Sequence, residues 1–382
     1  MKTNQTGAVA LAMAFSGTAL VATGAHAQSS VTLYGIVDQA LRYVDNQGVG
    51  KMKTLSSNGL RTSRFGLRGV EDLGDGLNAG FKLEAVMFPD TGGAGSTTQV
   101  GQLWSRDAYV EIGQPTYGTV RLGYDLNPAY VTWYENDPWF NIGIAGTGSL
   151  YDTTQNGPIR AAFGAIGKLD TTLTYTRNMV QYFSPNIGGF FAVAALAAGE
   201  GATTATGAAK QAVLRLGYTG GAFQAAVARS RTDALPAGGT LNRFNDSVAT
   251  TSYDFGVVKL AATWREFKAL TAKEAHYFVA ATVPFGLSRM QATYGRVNMS
   301  GTVTNNLAPG TVAGPIDAND ASMWAVGYIY NLSKRTSLYT NAVRIDNRGK
   351  SFLALAGGPA VNATNFSGKA SSALEFGVAH NF

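Results

Sequence analysis

The chain contains no cysteine, and charged residues make up only 14% of its 382 positions, against about 25% in soluble domains. Without disulfides, an exported protein must rest on a large core or on fully closed hydrogen bonding. Histidine is nearly as scarce, with three in all. His276 and His380 have no histidine or cysteine near them in sequence, so neither a zinc centre nor a Ser-His-Asp triad finds its parts. Long apolar runs are missing too. Past residue 27 nothing approaches the roughly 20 apolar residues of a membrane helix. The net charge of +6 is spread too thinly to mark a nucleic-acid surface.

What the chain has in quantity is glycine, tyrosine and phenylalanine, with 47, 17 and 19 copies. Residues 1–27 read as a signal peptide: Lys2, an apolar run from Ala8 to Val21, and the small-x-small site Ala25-His26-Ala27. From residue 28 onward, alternation with a period of two dominates. It is clearest over residues 63–88, where Arg64, Gly66 and Arg68 share one face and Phe65 and Leu67 the other. Asp75-Gly76 supplies hairpin-turn chemistry. Beyond it, Ala79, Phe81, Leu83, Ala85 and Met87 alternate with Asn78, Gly80, Lys82 and Glu84. Asp38 lies on the polar face of an earlier segment, residues 31–43.

About sixteen such segments follow one another to Phe382, and short turns alternate with longer links rich in Gly, Thr and Asn, at 199–210, 231–246, 300–320 and 347–370. Residues 125–168 break the alternation with proline, asparagine and aromatics, over a length far beyond the usual 4–6 residue loop. This rhythm predicts an all-β fold for residues 28–382, a transmembrane antiparallel β-barrel. Strands of about 9–11 residues cross a bilayer, turns are short on one side and long on the other, and closure leaves no unpaired edge. A secreted or outer-membrane β-rich adhesin or binding protein is the alternative reading; it would run as a soluble species without detergent. A barrel phospholipase is a third.

Several segments carry a family resemblance as an ordered set. They are Val31-Thr32-Leu33-Tyr34-Gly35, Ser63-Arg64-Phe65-Gly66-Leu67-Arg68-Gly69, Glu71-Asp72-Leu73-Gly74 and Arg106-Asp107-Ala108-Tyr109-Val110. Gly118-Thr119-Val120, Ser184-Pro185-Asn186-Ile187-Gly188-Gly189, Tyr253-Asp254-Phe255-Gly256 and the terminal Phe382 complete it. Together they resemble a trimeric general porin of the Gram-negative outer membrane. The resemblance implies a sixteen-stranded barrel, three to an assembly, with the third long loop, residues 125–168, folded inward. It implies a passive channel for small hydrophilic solutes and ions rather than an enzyme, with no cofactor or metal and no nucleic-acid partner. The other expected partners are outer-membrane lipid and the outer-membrane assembly machinery, which reads Phe382 as its signal.

The resemblance also places a basic ladder on Arg64, Arg68, Arg106 and Arg177, facing Asp137 and its neighbour Glu135 on the loop. Two departures stand out. Tyr124 occupies a position where the family often has arginine, while Arg121 on the other face adds charge to the lumen. Asn141 stands where a second loop acid would fall. Both imply a more positive constriction than usual and a weak preference for anions.

Residue by residue, physical chemistry leaves some alternatives open. Arginine on the lipid face costs about 2–4 kcal/mol at bilayer depth, so Arg64 and Arg68 point into the lumen, either to filter solutes or to brace the loop. Arg106 shares parity with Ala108, Val110 and Ile112, which places it outside; the resemblance places it inside. Glu135 and Asp137 serve either as pore acids or as caps of an Asn-Asp-Pro turn. Lys82, Glu84 and Asp38 complete the expected lumen set. Tyr43, Trp104, Trp264 and Trp324 suit an interfacial girdle.

Overall fold

The computed structural model describes residues 30–96, 101–150, 157–163, 173–199, 210–234, 242–303 and 314–382. The expected signal peptide, and residues 151–156 and 164–168 of the expected inward loop, lie outside them.

Alternating segments become wall strands because each has one face for lipid and one for the interior. Sixteen form the wall. The first eight are β1 (Ser30–Asn46), β2 (Arg64–Gly74), β3 (Leu77–Phe88), β4 (Asp107–Gln114), β5 (Gly118–Leu126), β6 (Tyr175–Phe183), β7 (Phe190–Ala197) and β8 (Gln211–Gly220). The second eight are β9 (Phe223–Ala234), β10 (Asn242–Asp254), β11 (Lys259–Ala269), β12 (Ala272–Phe285), β13 (Ser288–Ser300), β14 (Ala321–Asn331), β15 (Thr336–Asn347) and β16 (Ala370–Asn381). Each pairs antiparallel with its sequence neighbour. β16 then pairs with β1, from Ile36↔Asn381 to Asn46↔Ser371. The seam is sealed by Phe382, whose backbone exchanges hydrogen bonds with Gly35 at 3.0 and 3.1 Å. No strand edge of the wall is left open, which removes the main hazard of a large sheet in lipid.

The opening hairpin forms as its turn chemistry requires. Asp75 and Gly76 both take positive φ, 51° and 76°, the geometry of a two-residue hairpin turn. Strand ends depart from expectation on the long-loop side. Residues 231–246 were expected to form a long link, yet β9 and β10 stay paired out to Ala234↔Asn242. Polar residues there suit strands rising beyond the bilayer, and polarity is what hid them. A short strand, Gly50–Ser57, doubles back on the upper half of β1. Residues 58–63 then step off the wall before β2 begins.

Apolar side chains on the interior face follow from the loop after β5. Helix α1 (Pro128–Tyr134) starts with Asn127 capping Ala129 N–H and with proline in its first turn. Trp133 and Ala129 pack with Met179, Val213, Phe244, Phe267 and Phe278 of the wall. Further along, Trp139, Ile144 and Leu150 pack with Val297, Met323, Ile329 and Val343. The loop thus lines the inside of the later strands, and Ala40 and Val44 of β1 join the same buried cluster.

Candidate functional site: a charged passage beside the inward loop

The wall of β2–β5 carries a dense cluster of charge. On β3, Glu84 accepts a hydrogen bond from Tyr34 Oη at 2.8 Å. Its carboxylate lies 2.5 Å from Arg106 Nε, 3.4 Å from Arg64 Nε and 3.6 Å from Lys82 Nζ. Lys82 also reaches Asp107 Oδ2 at 2.5 Å. Arg68 is exposed to the lumen, its guanidinium 5.2 Å from the centre of the Tyr34 ring. Lower on the wall, Arg121 bridges Glu111 at 2.7 Å and Asp125 at 2.5 Å and lies over the Tyr109 ring.

Arg106 resolves the conflict between parity and resemblance. The β4 ladder ends at Asp107, so alternation no longer governs the residue before it. Arg106 donates its backbone N–H to Glu84 O and its guanidinium to the Glu84 side chain, and so faces inward.

Other expected residues lie elsewhere. Asp137 is buried inside the loop, 1% exposed. It accepts from Trp139 N at 2.9 Å, Thr147 N at 2.7 Å and Thr147 Oγ1 at 2.6 Å. It is a loop anchor and not a lumen-facing acid; burial, outweighing these hydrogen bonds, raises its pKa. Arg177 is corrected too. Asn178 takes φ 51°, and a register shift between β5 and β6 pairs Asp125 with Thr176. Thr176 therefore turns inward, to Gln211, while Arg177 reaches Gln102 at 3.3 Å on the approach to β4. Asp38 keeps the interior face but is fully buried, bound by the N–H groups of Gly59, Leu60 and Arg61 and by Tyr339 Oη. It holds the off-wall step of residues 58–63 in place. Glu135 is half-buried and paired with Arg215 of β8; burial raises its pKa despite that partner.

Across from the basic wall, Tyr130, Tyr134 and Phe140 of the loop bound a cavity of about 790 Å3 shared with Arg61, Arg64 and Arg106. Phe140 adopts φ 52° and Asn141 φ 62°. For a bulky residue that conformation costs about 1–3 kcal/mol. It projects the Phe140 ring into the passage, 4.4 Å beneath the Arg61 guanidinium. Asn141 turns back to Tyr130 Oη at 2.9 Å. Tyr124 stacks on Tyr175 at 5.3 Å. A smaller cavity of about 260 Å3 brings Arg61, Lys259 and Arg289 near Glu135.

Arg61, Lys259 and Arg289 are further lumen cations. Arg61 sits in the irregular step, where alternation assigns no face. Lys259 shares its face with Thr263 and Arg265, and Arg289 with Gln291 and Thr293, so alternation does point both inward. Around the passage, the wall presents Arg61, Arg64, Arg68, Lys82 and Arg106 against Glu84 and Asp107, five positive against two negative, a surplus of three.

Comparison with known proteins adds the family context. A profile of the Gram-negative porin family matches residues 8–350. Outer membrane porin protein 32 of Delftia acidovorans is 31% identical over 374 residues, covering 95% of this chain and 97% of that protein. The solved anion-selective porin from Comamonas acidovorans superposes with a TM-score of 0.76 at 28% identity, over 93% of this chain and all of that one. The trimer form of OmpT from Vibrio cholerae, at 16% identity and a TM-score of 0.59 over 93% of this chain and 99% of that one, shares the fold.

Proposed function

The chain belongs to the Gram-negative porin family, and on that premise we propose that its filter is the basic wall of β2–β4 opposite the inward loop. The protein is a passive channel of the outer membrane with a preference for anions. The supporting observation is that the cavity of about 790 Å3 is lined by Arg61, Arg64 and Arg106, with no carboxylate among its lining residues. An anion passing Arg61, Arg64 and Arg106 is drawn by charges that protein acids only partly cancel. Glu135 of the loop is held by Arg215. The transverse field between polar wall and loop makes passage of large apolar solutes costly while small polar solutes reorient through it.

The assembly we propose is a homotrimer. Its contact face is the outer side of β1–β5, where Val31, Leu33, Val110, Ile112 and Leu122 are exposed. We assign Phe382, 47% exposed on the outer face, as the residue the assembly machinery reads. Planar-bilayer recording of the purified full-length protein tests the filter. Stable unitary steps are expected, with a reversal potential in a KCl gradient that follows chloride. A potential that follows potassium overturns the reading.

A further inference from the structure

The inward loop carries a feature that a preference for anions does not explain. On its passage side, Tyr130, Tyr134 and Phe140 form a row of rings with centroids 5.3 and 6.4 Å apart. Tyr130 is buried, whereas Tyr134 and Phe140 stay accessible. These two are inclined at 55° and not stacked, so an edge or a face remains for a third ring. Both line the cavity shared with Arg61, Arg64 and Arg106.

Phe140 and Arg61 are the pair that points to a ligand. Phe140 holds φ 52°, a strained conformation for a bulky residue. Its ring is nonetheless 40% exposed, so burial returns little of the cost. An apolar ring kept in strain and left in the passage is accounted for by what it meets there. The Arg61 guanidinium stands 4.4 Å from the centre of that ring. Glu84 engages Arg64 and Arg106, but among the described residues Arg61 has no ion-pair partner. Its guanidinium hydrogen bond goes to Leu60 O at 3.4 Å.

We infer that this cavity recognises aromatic carboxylates, with the ring against Tyr134 and Phe140 and the carboxylate on Arg61. The preference rests on the anion filter proposed above and adds a discrimination among anions that charge alone does not supply. A guanidinium offers a carboxylate its planar fork. Aromatic rings gain from edge-to-face and offset contacts that a saturated ring cannot reproduce. A solute with the charge alone forgoes the ring contacts, and one with the ring alone leaves Arg61 unanswered. The cavity of about 790 Å3 falls within the range of about 300–1,000 Å3 usual for small-molecule sites. Contacts to two rings and one cation give brief residence, as conduction requires.

The test uses full-length protein in planar bilayers in dilute KCl, with two probes of equal charge and similar size, benzoate and cyclohexanecarboxylate. Each is titrated against the chloride current. Benzoate is expected to half-block at a concentration about fivefold lower than cyclohexanecarboxylate. Phe140→Leu keeps an apolar side chain without the ring and should bring the two within about twofold. Arg61→Gln should raise both half-blocking concentrations. The reversal potential in a KCl gradient, recorded before either probe is added, reads the anion filter separately. A wild-type channel that follows chloride but is blocked equally by both probes, or by neither, overturns the aromatic preference and leaves the filter standing. A Phe140→Leu channel that keeps the full difference, or an Arg61→Gln channel that is blocked like wild type, overturns the placement of the ring or of the carboxylate. The wild-type comparison decides alone where a variant forms no channels.

Discussion

At the scale of single residues, the filter works by partial neutralisation. Glu84 is 2% exposed and shared among three cations, so it organises the basic side chains while leaving a net positive wall. A unit charge at about 4 Å in bulk-like water is worth about 1 kcal/mol. Arg64→Gln or Arg106→Gln is therefore expected to lower the anion-to-cation permeability ratio about two- to fivefold, read from reversal potentials and shrinking at high salt. Glu135 titrates above the usual carboxylate range because burial disfavours its charge. Lowering the pH through that range removes a negative charge and leaves Arg215 unbalanced. Anion selectivity should therefore rise on mild acidification, and Glu135→Gln should lessen that rise. Asp137 makes the opposite case. As a pore acid, its removal would sharpen anion selectivity. As an anchor, Asp137→Ala leaves the buried N–H groups of Trp139 and Thr147 unpaired, at about 1–3 kcal/mol each. The expected outcome is noisy, variable conductance at unchanged selectivity.

At the scale of elements, the sheet was more legible than the loop. Period-2 alternation and the Asp75-Gly76 turn identify the β2–β3 hairpin, because one residue step moves a side chain from lipid to lumen. Arg64, Arg68, Lys82 and Glu84 could be placed inside on that ground alone. Where alternation lapses, parity misleads. It puts Arg106 outside, one residue beyond its ladder, and cannot foresee that Asn178 turns Arg177 away. It also fades where the loop covers the interior, since Phe190-Phe191-Ala192-Val193-Ala194-Ala195 is apolar on both faces. The destination of Asp137 depends on contacts within the loop that no periodicity encodes. At the seam, a Cβ on Gly35 would meet the Phe382 ring at 2.2 Å and the Arg64 carbonyl oxygen at 2.7 Å. The ring can move; the carbonyl cannot without breaking the β1–β2 ladder. Gly35→Val should therefore yield little of the compact, heat-modifiable barrel band on a denaturing gel, while Gly221→Ala, which meets open space and bears only the strain of φ 55°, about 1–2 kcal/mol, should keep it.

At the scale of the whole molecule, function depends on fastening one loop to many strands. The loop's side chains reach Arg215, Thr250 and Asn341 on three different strands, β8, β10 and β15, so the passage cannot widen without releasing several contacts. The same economy applies outside, at the apolar face of β1–β5 proposed as the trimer contact. Ile112→Arg, at its centre, is expected to convert the heat-sensitive oligomer to monomers on a semi-native gel. The seam between β1 and β16 has a consequence for how the protein comes to exist. Ile36 pairs with Asn381, a separation of 345 residues, so the barrel closes only when segments from opposite ends of this sheet meet. Closure across so long a chain is slow, and until it happens both flanking strands are open to any other strand nearby.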